Sequence, residues 1–385
     1  MKIDRFLGVV NTLKDEDTPL GALADATNFM VTDAGSLSRR EGFTLTAAGT
    51  QITGSYGTYD HRYLFVIDNG DLFKFDGSGF TQLATGFSTA PSYWCEESSN
   101  QVFVMSQGNY GSIESGETAT NLYLKAPENI QFTPGAGSIS GDIMVAVQYK
   151  MGGRLSPFSD PVLYTLDAGS LMVNIPPIAG ATAQVAVFSS TTGAWKLVGE
   201  TANFMVINNL DPTAQMVDEM YFDVEPAPLS EVIGVTYYQA RVVVAVRLSP
   251  ELTRIQFSAP YQYHLFHKAD DRFELPDEVT AMEVVNGRLL ITCRNSIYSF
   301  TSDNKLNKLT DYGTPRGKPI TKLPDSGAII WTDRGVAKYP EFENLTEKIV
   351  SLPPGEGCST TLYEKKGSQY LLICNDGSGE AFNAA

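Results

Sequence analysis

The sequence predicts an all-β chain: a β-propeller of about six blades, interrupted by a fibronectin type III-like β-sandwich. Short apolar hairpins recur about every 40 residues, one interval is longer by about a hundred residues, and no long segment carries helical periodicity apart from Leu20 to Met30. A composition of 43% hydrophobic and 19% charged residues is that of a folded globular chain. With 34 Gly, 20 Pro, 18 Tyr and 20 Phe, it favours many short strands and tight turns.

The first hairpin runs from Tyr63 to Phe75, YLFVIDNGDLFKF, with a type I′ signal at Asn69-Gly70, where both positions need positive φ. The second begins at Gln101 (QVFVM), with its return expected at Asn121 to Lys125. The third runs from Arg241 to Phe257, the fourth from Arg288 to Phe300, the fifth from Ala328 to Tyr339 and the sixth from Tyr370 to Phe382. Between the middles of the apolar runs, Phe65 to Val104 is 39 residues, Val244 to Ile291 is 47, Ile291 to Ile330 is 39 and Ile330 to Ile373 is 43. Val104 to Val244 is 140; removing residues 127–228, which number 102, restores 38. The continuous apolar runs have a physical reason: a central blade strand is covered on both faces by neighbouring blades, whereas outer strands such as Gly79–Thr85 and Asn304–Thr310 face water and alternate. Residues 50–60 are a candidate strand for completing the last blade and closing the ring.

The organisation is therefore an N-terminal docking segment (1–50), a first part of the propeller (51–126), an inserted module (127–228) and a second part (229–385). Alternating strands in the insertion are expected at Asp142–Tyr149, Leu171–Ile175, Ala183–Ser189, Trp195–Val198 and Phe204–Ile207, separated by turn signals. Its stretch from Tyr149 to Pro161, YKMGGRLSPFSDP, resembles the strand and Ser-Pro-rich link of fibronectin type III domains. Trp195 is expected in the module's own core. The module holds 3 Lys/Arg and 10 Asp/Glu.

The formal net charge is -16, so the surface repels phosphates and sequence-specific nucleic-acid binding is not expected. Cys95, Cys293, Cys358 and Cys374 form no CxxC pair and read as buried thiols. The apolar run Phe6 to Val10 is too short for a secretory signal, and no stretch is long enough to span a membrane. His61, His264 and His267 lack a carboxylate–histidine cluster; the stretch around YHLFH reads as a loop, and no metal site is expected. No GxSxG, HExxH, P-loop or dinucleotide fingerprint is present, so no catalytic residues and no cofactor are assigned. Asp333-Arg334-Gly335 reads as a tight hairpin that presents an arginine.

Residues 1–45 do not repeat. Phe6 and Gly8 open the segment, Ala22, Asp25, Ala26 and Asn28 follow a proline-containing link, and Gly35, Leu37, Arg40, Gly42 and Phe43 close it. This order resembles the opening of the tail nozzle proteins of short-tailed bacteriophages, also called tail tubular protein B or the phage stabilisation protein. The resemblance implies a non-enzymatic virion protein: a homo-oligomeric ring, usually hexameric, docked on an adaptor or tail-tube protein, with tail fibres as further partners. DNA leaves through the ring without specific binding, and the ring assembles in the host cytoplasm. Phe6, Asn28, Arg39 and Arg40 are then the candidate subunit or adaptor interface. Two rivals follow from the propeller alone: a carbohydrate- or receptor-binding module, and a propeller hydrolase using two carboxylates.

Overall fold

The structure is a computed structural model. It describes residues 49–60, 62–97, 101–114, 118–323, 327–346, 358–365, 368–375 and 381–384, with four short strands nearer the N-terminus: Gly8–Val9, Ala22–Leu23, Phe29–Val31 and Leu37–Arg39. Ala22–Leu23 and the start of Phe29–Val31 fall in the stretch Leu20 to Met30, which is therefore not one helix. Among the described residues the helical content is a single 3-10 turn, Glu219–Phe222.

Six mainly antiparallel sheets are laid down in chain order, the second and third separated by the insertion. Blade 1 holds Ile52–Gly57, Leu64–Asp68, Asp71–Phe75 and Phe80–Ala84; blade 2 holds Tyr93–Glu97, Gln101–Ser106, Asn109–Glu114 and Thr118–Asn121. Blade 3 holds Val232–Tyr238, Arg241–Ser249, Leu252–Ala259 and Arg272–Leu275, and blade 4 holds Val279–Val285, Arg288–Cys293, Ile297–Phe300 and Leu306–Thr310. Blade 5 holds Ile320–Lys322, Ala328–Thr332, Gly335–Tyr339 and Glu343–Asn344. Blade 6 holds Cys358–Lys365, Ser368–Asn375 and Ala381–Ala384, with Gly317–Lys318 pairing in parallel on its first strand.

The core explains why these sheets stand radially. In Arg241–Ser249, Val242, Val244 and Val246 pack against Phe103 and Met105 of blade 2. Val243 and Ala245, on the opposite face, pack against Leu289 and Ile291 of blade 4. Blade 2 splits the same way: Val102 and Val104 face Phe65, Ile67 and Leu72 of blade 1, while Phe103 and Met105 face blade 3. Leu290 and Ile297 of blade 4 meet Ile320, Ala328 and Ile330 of blade 5, and Trp331 and Val336 of blade 5 meet Cys358 and Leu371 of blade 6. Side chains alternate across a strand, so a strand buried on both faces must be apolar at every position. The first strands of successive blades touch one another from blade 1 to blade 6, which places them around a common axis. The chain is an all-β propeller.

Three sequence expectations are corrected. Ile52–Gly57 pairs with Leu64–Asp68 as the first strand of its own blade and does not complete blade 6, which takes its three long strands from the C-terminus. The return strand of the second hairpin is Asn109–Glu114, because Ser106 and Asn109 close a tight turn; the outer strand is Thr118–Asn121. The YHLFH stretch lies in the strand Gln262–His267, which pairs with Ser258–Ala259 and with Val224–Pro226, so it is not a loop.

The insertion forms one continuous sheet. At its centre is Gln131–Met151, 21 residues long, several times the usual strand. Its first part pairs with Val162–Asn174 and its last part with Ala181–Ser189; Lys196–Thr201 and Phe204–Ile207 lie at the two ends. Register shifts between Ala136 and Gly141 bend the sheet. Gly137 sits at that bend, where an added Cβ would lie 2.4 Å from the Gly169 carbonyl oxygen. The end strands approach each other, since a Cβ at Gly199 would meet the Met205 methyl at 2.9 Å, and the curled sheet encloses Val145, Val147, Leu171, Val173 and Val185. The fibronectin type III comparison rests on the sequence motif alone.

Candidate functional site

Three groups of described polar side chains join separate parts of this frame. The first is the axis. Lys322, on the inner strand of blade 5, donates to Glu283 of blade 4 at 2.8 Å and to the Tyr59 hydroxyl of blade 1 at 2.7 Å. Blades 1 and 5 are not neighbours in the ring, so this contact bridges across the axis. Glu96, from the inner strand of blade 2, accepts from the Tyr59 backbone N–H at 2.8 Å and from the Tyr56 hydroxyl at 3.4 Å. Trp94 stacks on Tyr56 with ring centroids 6.2 Å apart. Burial raises the Tyr56 hydroxyl far above its ordinary value, with Tyr59 and Glu96 adding to the shift, and burial likewise lifts the Glu96 carboxyl. Burial opposes the charge on Lys322, but Glu283 and then Tyr59 outweigh it and raise the amine. The axis is thus lined by hydroxyls and carboxylates cross-linked by one lysine.

The second place is the mouth of blade 4. Glu278 is buried with 4% of its surface exposed. Arg316 donates to both of its oxygens at 2.9 and 2.7 Å, Arg247 of blade 3 sits at 2.5 Å, and Arg294 at 3.6 Å. Asp277 beside it accepts from Asn295 and Ser296 in the hairpin of the same blade. This cluster binds blades 3 and 4 to the link into blade 5, and its chemistry is structural: a bidentate arginine–carboxylate fork with no group poised as a nucleophile.

The third place is the junction of the insertion with blade 3. The Ser-Pro-rich link carries Phe158 onto Phe222, the rings stacked with centroids 4.4 Å apart. Trp195 packs on Phe222 at 4.6 Å. It packs in the module's smaller core cluster, against Ala146, Phe158 and Ala186, with Val217, Tyr221 and Phe222 covering the same face. His264 is buried, its Nε2 3.0 Å from the Leu155 carbonyl oxygen, and His267 lies 3.6 Å from Asp271. Three residues apart on a strand, the two rings point to opposite faces. Among the described residues no group of three or more His, Cys, Asp or Glu is placed to hold a metal ion.

Of the residues assigned from the sequence to an interface, Phe6, Asn28 and Arg40 lie outside the described residues, as does His61. Arg39 ends the strand Leu37–Arg39, paired with Phe29. Arg334 lies within the tight turn between Thr332 and Gly335, as expected, and its guanidinium lies 4.6 Å over the Tyr312 ring. Sequence reasoning missed Glu278 and the axial group. The available signal was the Asp277-Glu278 pair at the head of an apolar strand, where charge stands next to core.

No protein-family model matches the chain, and no curated protein matches it. Among solved structures, the "Dos1 propeller" has a TM-score of 0.37 at 11% identity, over 92% of this chain and 80% of that one. The "AfRom2 CNH domain" has 0.32 at 8% identity, over 86% and 93%, and Kluyveromyces lactis Hsv2 has 0.33 at 8% identity, over 86% and 97%. At such scores the likeness carries no argument, and the propeller rests on the strand pairing and the inter-blade cores.

Proposed function

We propose that the chain is a structural subunit of a short-tailed bacteriophage tail, forming a ring around the DNA exit channel and docking on an adaptor or tail-tube protein. The observation that carries this reading is the run of matched positions from Phe6 to Phe43, which resembles the opening of tail nozzle proteins and stands ahead of a propeller split by an insertion. In this reading DNA passes between subunits. The propeller's own axis is bridged by Lys322 and Tyr59. A net charge of -16 would keep such a channel from holding DNA. The role is mechanical, because sheets buried on both faces make a stiff body.

The test is assembly. The purified protein, alone and mixed with the adaptor of a phage that encodes it, is measured by sedimentation and electron microscopy. Rings of several copies support the reading; monomers under both conditions overturn it. A second reading, a carbohydrate- or receptor-binding propeller, is favoured by the tyrosines and carboxylates at the axis, Tyr56, Tyr59, Glu96 and Glu283. Binding on a glycan array that is lost in Tyr59→Ala would select it.

A further inference from the structure

The chain contains two Asn-Gly pairs, Asn69-Gly70 in blade 1 and Asn286-Gly287 in blade 4. Each pair is the whole of a tight hairpin turn, closed by Asp68 opposite Asp71 and by Val285 opposite Arg288. The backbone is alike in both: φ is 50° and 84° in the first turn, 54° and 70° in the second. Their surroundings differ. The Gly70 carbonyl accepts from the Phe87 N–H at 2.9 Å, and the Asn69 N–H donates to the Gln51 carbonyl at 3.0 Å. The Asp68 carboxylate beside them accepts from the N–H groups of Thr50 and Gln51. Gly70 is buried, whereas Asn286 and Gly287 are exposed, and a Cβ added at Gly287 would stand in open space. Among the described residues no backbone hydrogen bond from outside its own hairpin reaches Asn286 or Gly287.

An Asn-Gly pair is labile because glycine has no side chain to shield its backbone nitrogen. That nitrogen, once its proton has gone to hydroxide, bonds to the asparagine Cγ, and the side-chain nitrogen leaves as ammonia. Water then opens the cyclic imide. Cleavage at Cγ gives aspartate; cleavage at the backbone carbonyl gives isoaspartate, with the main chain rerouted through the former side chain. Ring closure needs the asparagine ψ to rotate out of the left-handed region, so the turn has to open first. At Asn286 that opening breaks only the end of its own hairpin. At Asn69 it also breaks the bonds to Gln51 and Phe87. We propose that Asn286-Gly287 is a site of spontaneous deamidation and isoaspartate formation in the folded protein, while the fold protects Asn69-Gly70. Isoaspartate lengthens the backbone of a turn that fits only two residues. This turn joins Arg288–Cys293 to Val279–Val285, the strand that carries Glu283 to Lys322. Modification therefore loosens blade 4 from its turn and adds a negative charge to the chain. The inference is independent of any role in a phage tail.

The test ages the full chain in mildly alkaline buffer, both native and in denaturant, and digests it with trypsin at mildly acidic pH. The two pairs fall on separate peptides, residues 63–74 and 273–288. Mass spectrometry follows the conversion of amide to acid, and an isoaspartyl methyltransferase assay identifies the rerouted product. In denaturant the two pairs are expected to react at rates within about twofold, since local sequence alone then acts. In the native protein Asn286 is expected to convert at least about tenfold faster than Asn69. The acidic product, isolated by ion exchange, is expected to exchange amide hydrogens about tenfold faster than fresh protein over residues 279–293, with blade 1 unchanged. Equal native rates at the two pairs, faster conversion at Asn69, or conversion of Asn286 in denaturant only would each overturn the proposal. Unaltered exchange in the acidic product would overturn the loosening of blade 4.

Discussion

At the scale of single residues, the buried carboxylate of Glu278 and the buried imidazole of His264 give opposite tests of the same electrostatics. Glu278 forms ion pairs with three guanidiniums that converge from blade 3, blade 4 and the following link. Removing one partner of a buried ion pair is strongly destabilising, so Glu278→Ala is expected to cost about 3 kcal/mol. That is the low end for buried pairs, because Arg247, Arg294 and Arg316 keep 31%, 34% and 44% of their side chains exposed and water screens part of the loss. Chemical denaturation measures it; a loss below about 0.5 kcal/mol would contradict a structural role for this cluster. For His264, burial lowers the imidazole below its ordinary 6.5; the hydrogen bond to Leu155 opposes this and the charge on Arg154 adds to it. A histidine depressed in the folded state contributes stability that is full above pH 6.5 and is lost as pH falls through the depressed value. The wild type should therefore lose stability relative to His264→Gln on going from neutral to mildly acidic buffer. Parallel pH profiles for the two proteins would contradict the burial of this ring at the junction.

Hairpins and strands carry the next set of expectations. The Asp68–Asp71 hairpin needs φ of 50° at Asn69 and 84° at Gly70, and a Cβ at Gly70 would stand 2.7 Å from the Phe87 carbonyl oxygen. Gly70→Ala should then cost at least about 1–2 kcal/mol, whereas an alanine in an ordinary turn would be neutral or stabilising. Phe103 is fully buried between Tyr110, Tyr237 and Tyr263, and Phe103→Ala is expected to cost about 3–5 kcal/mol, read as a lowered denaturant midpoint. These elements were legible in the sequence because their physics is local: an Asn-Gly turn demands positive φ, and a run such as Val242–Val246 has to be covered twice. The return strand Asn109–Glu114 has Gly111 and Ser112 at its centre and no run of apolar residues to mark it, so the expectation fell on Asn121 to Lys125. Tyr263 and His264 look like loop residues until Val224–Pro226 and the Leu155 carbonyl supply partners from far along the chain. The axial group was illegible for the same reason: Lys322 and Tyr59 are 263 residues apart and meet because five blades bring them around.

On the scale of the whole molecule, the claim on which the rest depends is that the sheets stand around one axis and do not lie stacked in an open layer. Central strands that are apolar at every position and packed on both faces argue for it, and the bridge from Lys322 to Tyr59 is its most specific consequence. A double-mutant cycle on Tyr59→Phe and Lys322→Met tests it directly by denaturant unfolding. Residues in contact couple, and the radial arrangement predicts an interaction energy of at least about 0.5 kcal/mol between them. Effects that simply add, within about 0.3 kcal/mol, would contradict the radial arrangement and return the six sheets to an open stack.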